Sequence, residues 1–236
     1  IWHRLIDHLI KIAGTEGANF NSSTGKFAEM RRELTAIPDL EVDSPAFFKD
    51  HVKLAFIKVL NHFNVDITTH KGVHDSVVIG KNVTIEKNVT IGPFTVLENN
   101  VKIKSGSAIG SNCYIGHGTT IGSNSKIMSS VNIYSLVRIG KNCTIHSGSV
   151  IGADGYGFYT HKDIHYKIPQ NGKVNVGNDV EIGANCTIDR GTIDDTLIGD
   201  MCKFDNGVQI GHNVEIGKGC LLTAHVTIAG LSLIHI

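Results

Sequence analysis

The chain has 236 residues and a formal net charge of zero, with 22 basic and 22 acidic side chains. No basic excess is present to neutralise a phosphate backbone, which argues against nucleic acid as the main partner, and no apolar run approaches the roughly 20 residues of a bilayer span. Glycine is frequent (26), proline scarce (4) and aromatics only 6%, a balance that points to many short repeated turns rather than a bulky aromatic core. The first residue is Ile1 and no signal peptide is visible, so the chain reads as a fragment.

Residues 1–43 read as helical and polar. Trp2, Leu5, Ile6, Leu9, Ile10 and Ala13 form a helical stripe that Gly14 can stop. A polar loop covers 17–25, and Phe27 to Ile37 predicts another helix, ended by Pro38. Residues 44–73 read as a helix and linker. Ser44 is an N-cap and Pro45 a first helical residue, and Phe48, Val52, Ala55, Phe56, Val59, Leu60 and Phe63 make an amphipathic face.

Residues 74–230 obey a different rule. Stepping by six from Ile79 to Ile151 meets thirteen aliphatic residues, twelve of them isoleucine. Neither a 3.6-residue nor a two-residue period does this; a hexapeptide repeat does. Position one is large and β-branched. Position two is often Gly, where the chain must turn or come close to another backbone. Position five is small or β-branched. Two inward columns, one large and one small, fill a narrow prism whose coils of three hexads stack as parallel strands. The register breaks after Ile151 and resumes at Val176, so residues 152–175 form an insertion that must loop out. After Ile188 it slips by four residues and runs from Ile198 to Ile228. Residues 231–236 read as an aberrant or truncated tail.

Cys113, Cys143, Cys186, Cys202 and Cys220 each fall four residues after a position-one aliphatic. They are expected to be buried, small apolar residues in reduced form, which fits the cytoplasm. His161 and His165 of the insertion, four apart with Asp163 between them, have no third ligand at suitable spacing, and His117, His146 and His225 occupy different hexad phases, so no metal site is predicted.

Periodicity alone leaves acyltransferases, gamma-class carbonic anhydrases and sugar-nucleotide enzymes open, as well as a non-catalytic structural solenoid. The narrower signal is three strings that contain non-repeat residues: IHSGSVIGADGYGF from Ile145, KIPQNGKVNVGNDVEIGANCTIDRGTIDDTLIGD from Lys167, and KFDNGVQIGHNVEIG from Lys203. With the stretch KLAFIKVL before the coil, residues 53 to 230 resemble the UDP-3-O-acylglucosamine N-acyltransferase family of lipid A assembly. The resemblance implies a mainly β fold, a left-handed parallel β-helix of hexapeptide repeats, assembled as a homotrimer in the cytoplasm of a Gram-negative-type bacterium. It implies transfer of an (R)-3-hydroxyacyl chain to the 2-amino group of a UDP-linked, 3-O-acylated glucosamine. The donor is carried on the phosphopantetheine of acyl carrier protein, with no metal and no further cofactor. The related O-acyltransferase on UDP-N-acetylglucosamine is the near alternative, which the IDRG and VQIGHN strings disfavour. The family's N-terminal α/β domain, which holds the uridine, is not legible in residues 1–43, and neither its further coil nor its helical C-terminal extension is legible beyond Gly230.

Amide formation from a thioester needs an unprotonated amine, a stabilised oxyanion and substrates held in register. Histidine suits the first task, with an ordinary pKa near 6.5. His212, at position three of its hexad and so pointing away from the interior, matches the family's catalytic base. Asp205 matches the acid that orients or charges it. The two lie near successive corners of one coil whose flat side is about 15 Å, so they are expected to meet only between subunits. Gly230, eighteen residues and one coil after His212, is expected to present its N–H to the oxyanion. Asn206, Gln209, Tyr156 and Phe158 are the expected substrate contacts.

Overall fold

The computed structural model describes residues 72–235 together with Ile57. The helices expected before residue 72 lie outside the described residues. From Val78 onward the chain winds into a parallel β-solenoid with three faces of eight, eight and seven stacked strands. Most strands are two residues long and consist of hexad positions six and one, as in Thr144–Ile145. Each pairs with the equivalent strand one coil on: Val96↔Tyr114, Tyr114↔Asn132 and Asn132↔Val150 on one face.

The position-one column is the core. Ile91, Ile103, Ile115, Ile133, Ile145 and Ile151 are each 0% exposed. Position five fills the second column, and its polar members are satisfied by the coils themselves. Ser149 Oγ donates to Gly183 O at 2.7 Å and accepts from Cys186 N at 3.0 Å. Ser125 makes the same pair of bonds with Gly140 O and Cys143 N. The cysteines imitate serine here. Cys143 Sγ donates to Gly177 O at 3.1 Å and Cys186 Sγ to Asp205 O at 3.2 Å. All five cysteines are buried and free.

Burial raises the thiols of Cys113, Cys143, Cys186 and Cys202 above the ordinary value of 9.0. The unfolded chain sheds these protons at lower pH than the native column does. Their contribution to stability is therefore fully present below about pH 9 and is lost as pH rises toward the raised native values. Cys143→Ser should leave the unfolding free energy from urea titration within about 1 kcal/mol of wild type at neutral pH, because neighbouring serines already occupy the same column. Replacing all four by serine should flatten the alkaline decline in that free energy. An unchanged decline would show that other groups cause it.

The corners turn at hexad position four, where φ is positive: 55° at Asn82 and Asn142, 57° at Asn213. Asparagine tolerates this left-handed region better than most residues. Of the two roles open to the position-two glycines, the structure favours close approach. A Cβ on Gly140 would sit 2.2 Å from Gly177 O in the next coil.

Two segments leave the coil. After strand Val150–Asp154 the chain forms an antiparallel hairpin, Phe158–His161 with Ile164–Lys167, before re-entering at Val174–Val176. His161 stands opposite Ile164 and His165 opposite Thr160, so the two imidazoles occupy opposite faces of the ribbon. The second departure is the bend between Arg190 and Thr196. One expectation is corrected. The coil does not end at Gly230, because strand Leu233–Ile234 pairs with Glu215–Ile216 in register. Ile234 lies six residues after Ile228; the pattern continues, and the absence of a further Gly at position two hid it.

Candidate functional site

The strands Val150–Asp154, Thr187–Arg190, Gln209–Ile210 and Thr227–Ile228 are consecutive neighbours on one face of the prism. The chain therefore leaves that face along one shared edge four times in succession. His212 lies on this edge, just after Gln209–Ile210. Both departures from the coil, at Gly155 and at Gly191, also start from it.

His212 is half-buried and outside the core columns. Two glycines enclose its imidazole. A Cβ on Gly155 would lie 2.6 Å from His212 Cβ and 3.0 Å from Cγ. A Cβ on Gly230 would lie 2.7 Å from Nε2. Only hydrogen fits at either place. Nε2 thus faces the Gly230 backbone, while Nδ1 is 3.0 Å from Asn213 Oδ1. Asn213 is itself held by three further bonds. Oδ1 accepts from Thr192 N at 2.8 Å, Nδ2 donates to Asp194 O at 2.9 Å, and its backbone N donates to Thr196 Oγ1 at 2.9 Å.

Asp189 completes the cluster from the neighbouring strand. Its carboxylate accepts from Gln209 Nε2 at 3.3 Å, and Gln209 Oε1 accepts from Thr187 Oγ1. Burial raises the Asp189 carboxyl above its ordinary value, opposed by the Gln209 bond and the attraction of His212. Arg190 ties the edge across coils, donating from Nε to Gly152 O at 2.8 Å and from Nη2 to Ser135 O at 2.7 Å. Lys167 of the hairpin forms an ion pair with Asp154. Among the described residues no group of three or more His, Cys, Asp or Glu is placed to hold a metal ion.

The other expected site residues are distributed as follows. Gly230 and Gln209 join His212 on the edge. Asp205 follows strand Lys203–Phe204 on a different face, is exposed, and accepts a bond from Asn206 N at 2.7 Å; within one chain it stands at the preceding corner of the coil. Asn206 Oδ1 is occupied by Ala184 N at 2.7 Å, a bond between coils. Tyr156 is 86% exposed, with its ring 5.2 Å from that of Phe158. Asn213, Asp189 and Arg190 carry no catalytic signature of their own in the sequence. Their only sign there is membership of the strings VQIGHNV and IDRG.

A model for bacterial transferase hexapeptide repeats matches residues 88–123, 118–153 and 195–230, and one for the hexapeptide repeat of succinyl-transferases matches 173–212. Curated relatives include a UDP-3-O-acylglucosamine N-acyltransferase of Legionella pneumophila, 49% identical over 79 residues, which are 34% of this chain and 23% of the relative. The Rickettsia conorii enzyme of that name is 46% identical over 83 residues, 35% of this chain and 24% of the relative. The alignments thus span about a quarter of the length of these relatives. Among solved structures, the UDP-N-acetylglucosamine O-acyltransferase of Moraxella catarrhalis superposes with a TM-score of 0.51 at 24% identity, over 69% of this chain and 55% of that one, a likeness of fold.

Proposed function

We propose that this chain, built of bacterial transferase hexapeptide repeats, belongs to a hydroxyacyl transferase of lipid A assembly. It forms an amide between a carrier-bound (R)-3-hydroxyacyl group and the 2-amino group of UDP-3-O-acyl-glucosamine. The observation that carries the reading is the His212 imidazole held between Gly155 and Gly230, with Nε2 toward the Gly230 backbone. The identity to N-acyltransferases of Legionella and Rickettsia supports the choice of nitrogen over oxygen as acceptor.

In this reading the sugar nitrogen attacks the thioester carbonyl, and a proton passes from that nitrogen to His212 Nε2. The carbonyl oxygen becomes an oxyanion facing the Gly230 N–H. Its collapse expels the phosphopantetheine thiolate, which takes the proton back from Nε2, leaving an amide and a free carrier thiol. Tyr156 and Phe158 offer exposed apolar area in the insertion whose Gly155 lies against the histidine, and are proposed to receive acyl chain or sugar. Gln209 and Asn206 are proposed to contact substrate as well, Asn206 through its amide nitrogen, because its oxygen already serves Ala184. Asp205, too far round the coil for its own chain's His212, is proposed to approach the histidine of a neighbour in a homotrimer. The buried reduced thiols suit the cytoplasm.

The test is product analysis with the full-length gene product, hydroxyacyl carrier proteins of graded chain length, and both candidate acceptors. A base-stable amide on UDP-3-O-acyl-glucosamine is expected. An ester on UDP-N-acetylglucosamine as the sole product would overturn the assignment.

A further inference from the structure

We propose that Asn213 is a positioning residue that holds His212 in the Nδ1–H tautomer, and that the four-residue slip in the repeat serves as its splint. In a neutral imidazole one nitrogen carries the proton and the other the lone pair, and the bond made by one decides the state of the other. Free histidine prefers the proton on Nε2, so keeping it on Nδ1 requires an acceptor there. Asn213 Oδ1 stands 3.0 Å from Nδ1.

That the facing atom is the amide oxygen follows from its other partners. Oδ1 takes the Thr192 N–H at 2.8 Å, and Nδ2 gives a proton to the Asp194 carbonyl at 2.9 Å. Rotating the amide by half a turn would set donor against donor and acceptor against acceptor at both places. The amide is thus locked with its acceptor toward Nδ1, and the lone pair is left on Nε2, beside Gly230.

The lock is supplied by residues 191–195, the segment that breaks the six-residue register. Gly191 is required there, since a Cβ would run into the Asp194 carbonyl oxygen and fall 2.7 Å from Asn213 Nδ2. The bend is fastened in turn to the end of the first insertion. Asn171 N donates to Thr192 O at 2.8 Å, Thr192 Oγ1 to Gln170 Oε1 at 2.9 Å, and Lys173 N to Asp195 Oδ1 at 2.8 Å. The other end of that insertion covers His212 through Gly155. Both irregularities in the repeat thereby converge on one imidazole, one limiting its position and the other its proton.

The inference rests on His212 acting as the base, but its direct test does not. Nitrogen-15 spectra of histidine-labelled intact chain, with His212 assigned by a His212→Gln variant, read the tautomer whatever the activity. Wild type should show Nδ1 protonated. Asn213→Gly, which tolerates the left-handed φ of 57° but removes the acceptor, should move the proton to Nε2. It should also lower kcat by about 10–100-fold, in the range typical of lost supporting contacts, with KM little changed. Asn213→Asp keeps an acceptor toward Nδ1 and adds a charge that favours the imidazolium, at the cost of the bond to the Asp194 carbonyl, so it should keep the proton on Nδ1 and move the acidic limb of the kcat–pH profile upward.

Wild type with Nε2 protonated, or Asn213→Gly with Nδ1 still protonated, would overturn the proposal. If Asn213→Gly fails to fold, Asn213→Asp decides: an unmoved acidic limb counts against the role. A chain inactive toward both acceptors but showing the expected tautomers would defeat the transferase reading and leave the positioning of His212 by Asn213 standing.

Discussion

His212→Ala is expected to lower kcat/KM for acyl transfer by about 10²–10⁴-fold, the usual contribution of a positioned general base, and to leave the solenoid folded. The side chain lies at a corner, half-buried and outside both core columns, so its loss removes no core packing. Steady-state assays of the full-length gene product, alongside circular dichroism melting of the same variant, measure the two halves separately. A fully active variant would refute the assignment of base and favour a purely structural solenoid. A variant that loses activity and melting temperature together would mean that the ring supports the two glycine-containing segments rather than the chemistry. His212→Gln helps to separate these cases, since it restores much of the bulk between Gly155 and Gly230 but cannot accept the proton.

Ile145→Ala is expected to destabilise the coil by about 2–5 kcal/mol, the range for truncating a buried aliphatic side chain to alanine. Ile145 is 0% exposed, and its strand is paired on both sides, with Lys126–Ile127 and with Glu181–Ile182. Its neighbours in the stack are held by their own ladders and cannot readily close the gap. The same truncation at Ile79, which is 48% exposed, should have under about 1 kcal/mol of effect. In a solenoid each coil touches only its neighbours, so position along the stack should govern the result. Urea unfolding of both variants measures it, and equal midpoints would contradict the reading of position one as a continuous column.

The column was legible because a stacked coil repeats its environment every six residues, so each position-one residue faces the same demand. Ile91 to Ile151 meet it without exception. The cysteines were legible for the same reason, although their Sγ–H···O bonds between coils were not. The tail reads as aberrant because it has no Gly at position two, although that position accepts other residues elsewhere in the coil. Tyr134 and His146 already occupy it.

The site was only half legible. His212 is marked by its string, and Gly230 by the coil length. Asn213 reads in the sequence as one more asparagine at a position-four corner, like Asn82 or Asn142. Asp189 reads as the residue after a strand end. Their roles depend on what the inserted segments place against them, and an insertion has no period from which to infer its path.

Thus the amino-acid sequence by itself determined the three-sided column, its inward residues and the two points where the chain departs from it, because these follow from a local rule repeated many times. Only the tertiary structure decided that both departures fold back onto the same edge, that Gly155 and Gly230 enclose the His212 ring, and that Asn213 faces its Nδ1. Those contacts join residues up to 57 positions apart, as His212 is from Gly155, and no local rule sets them.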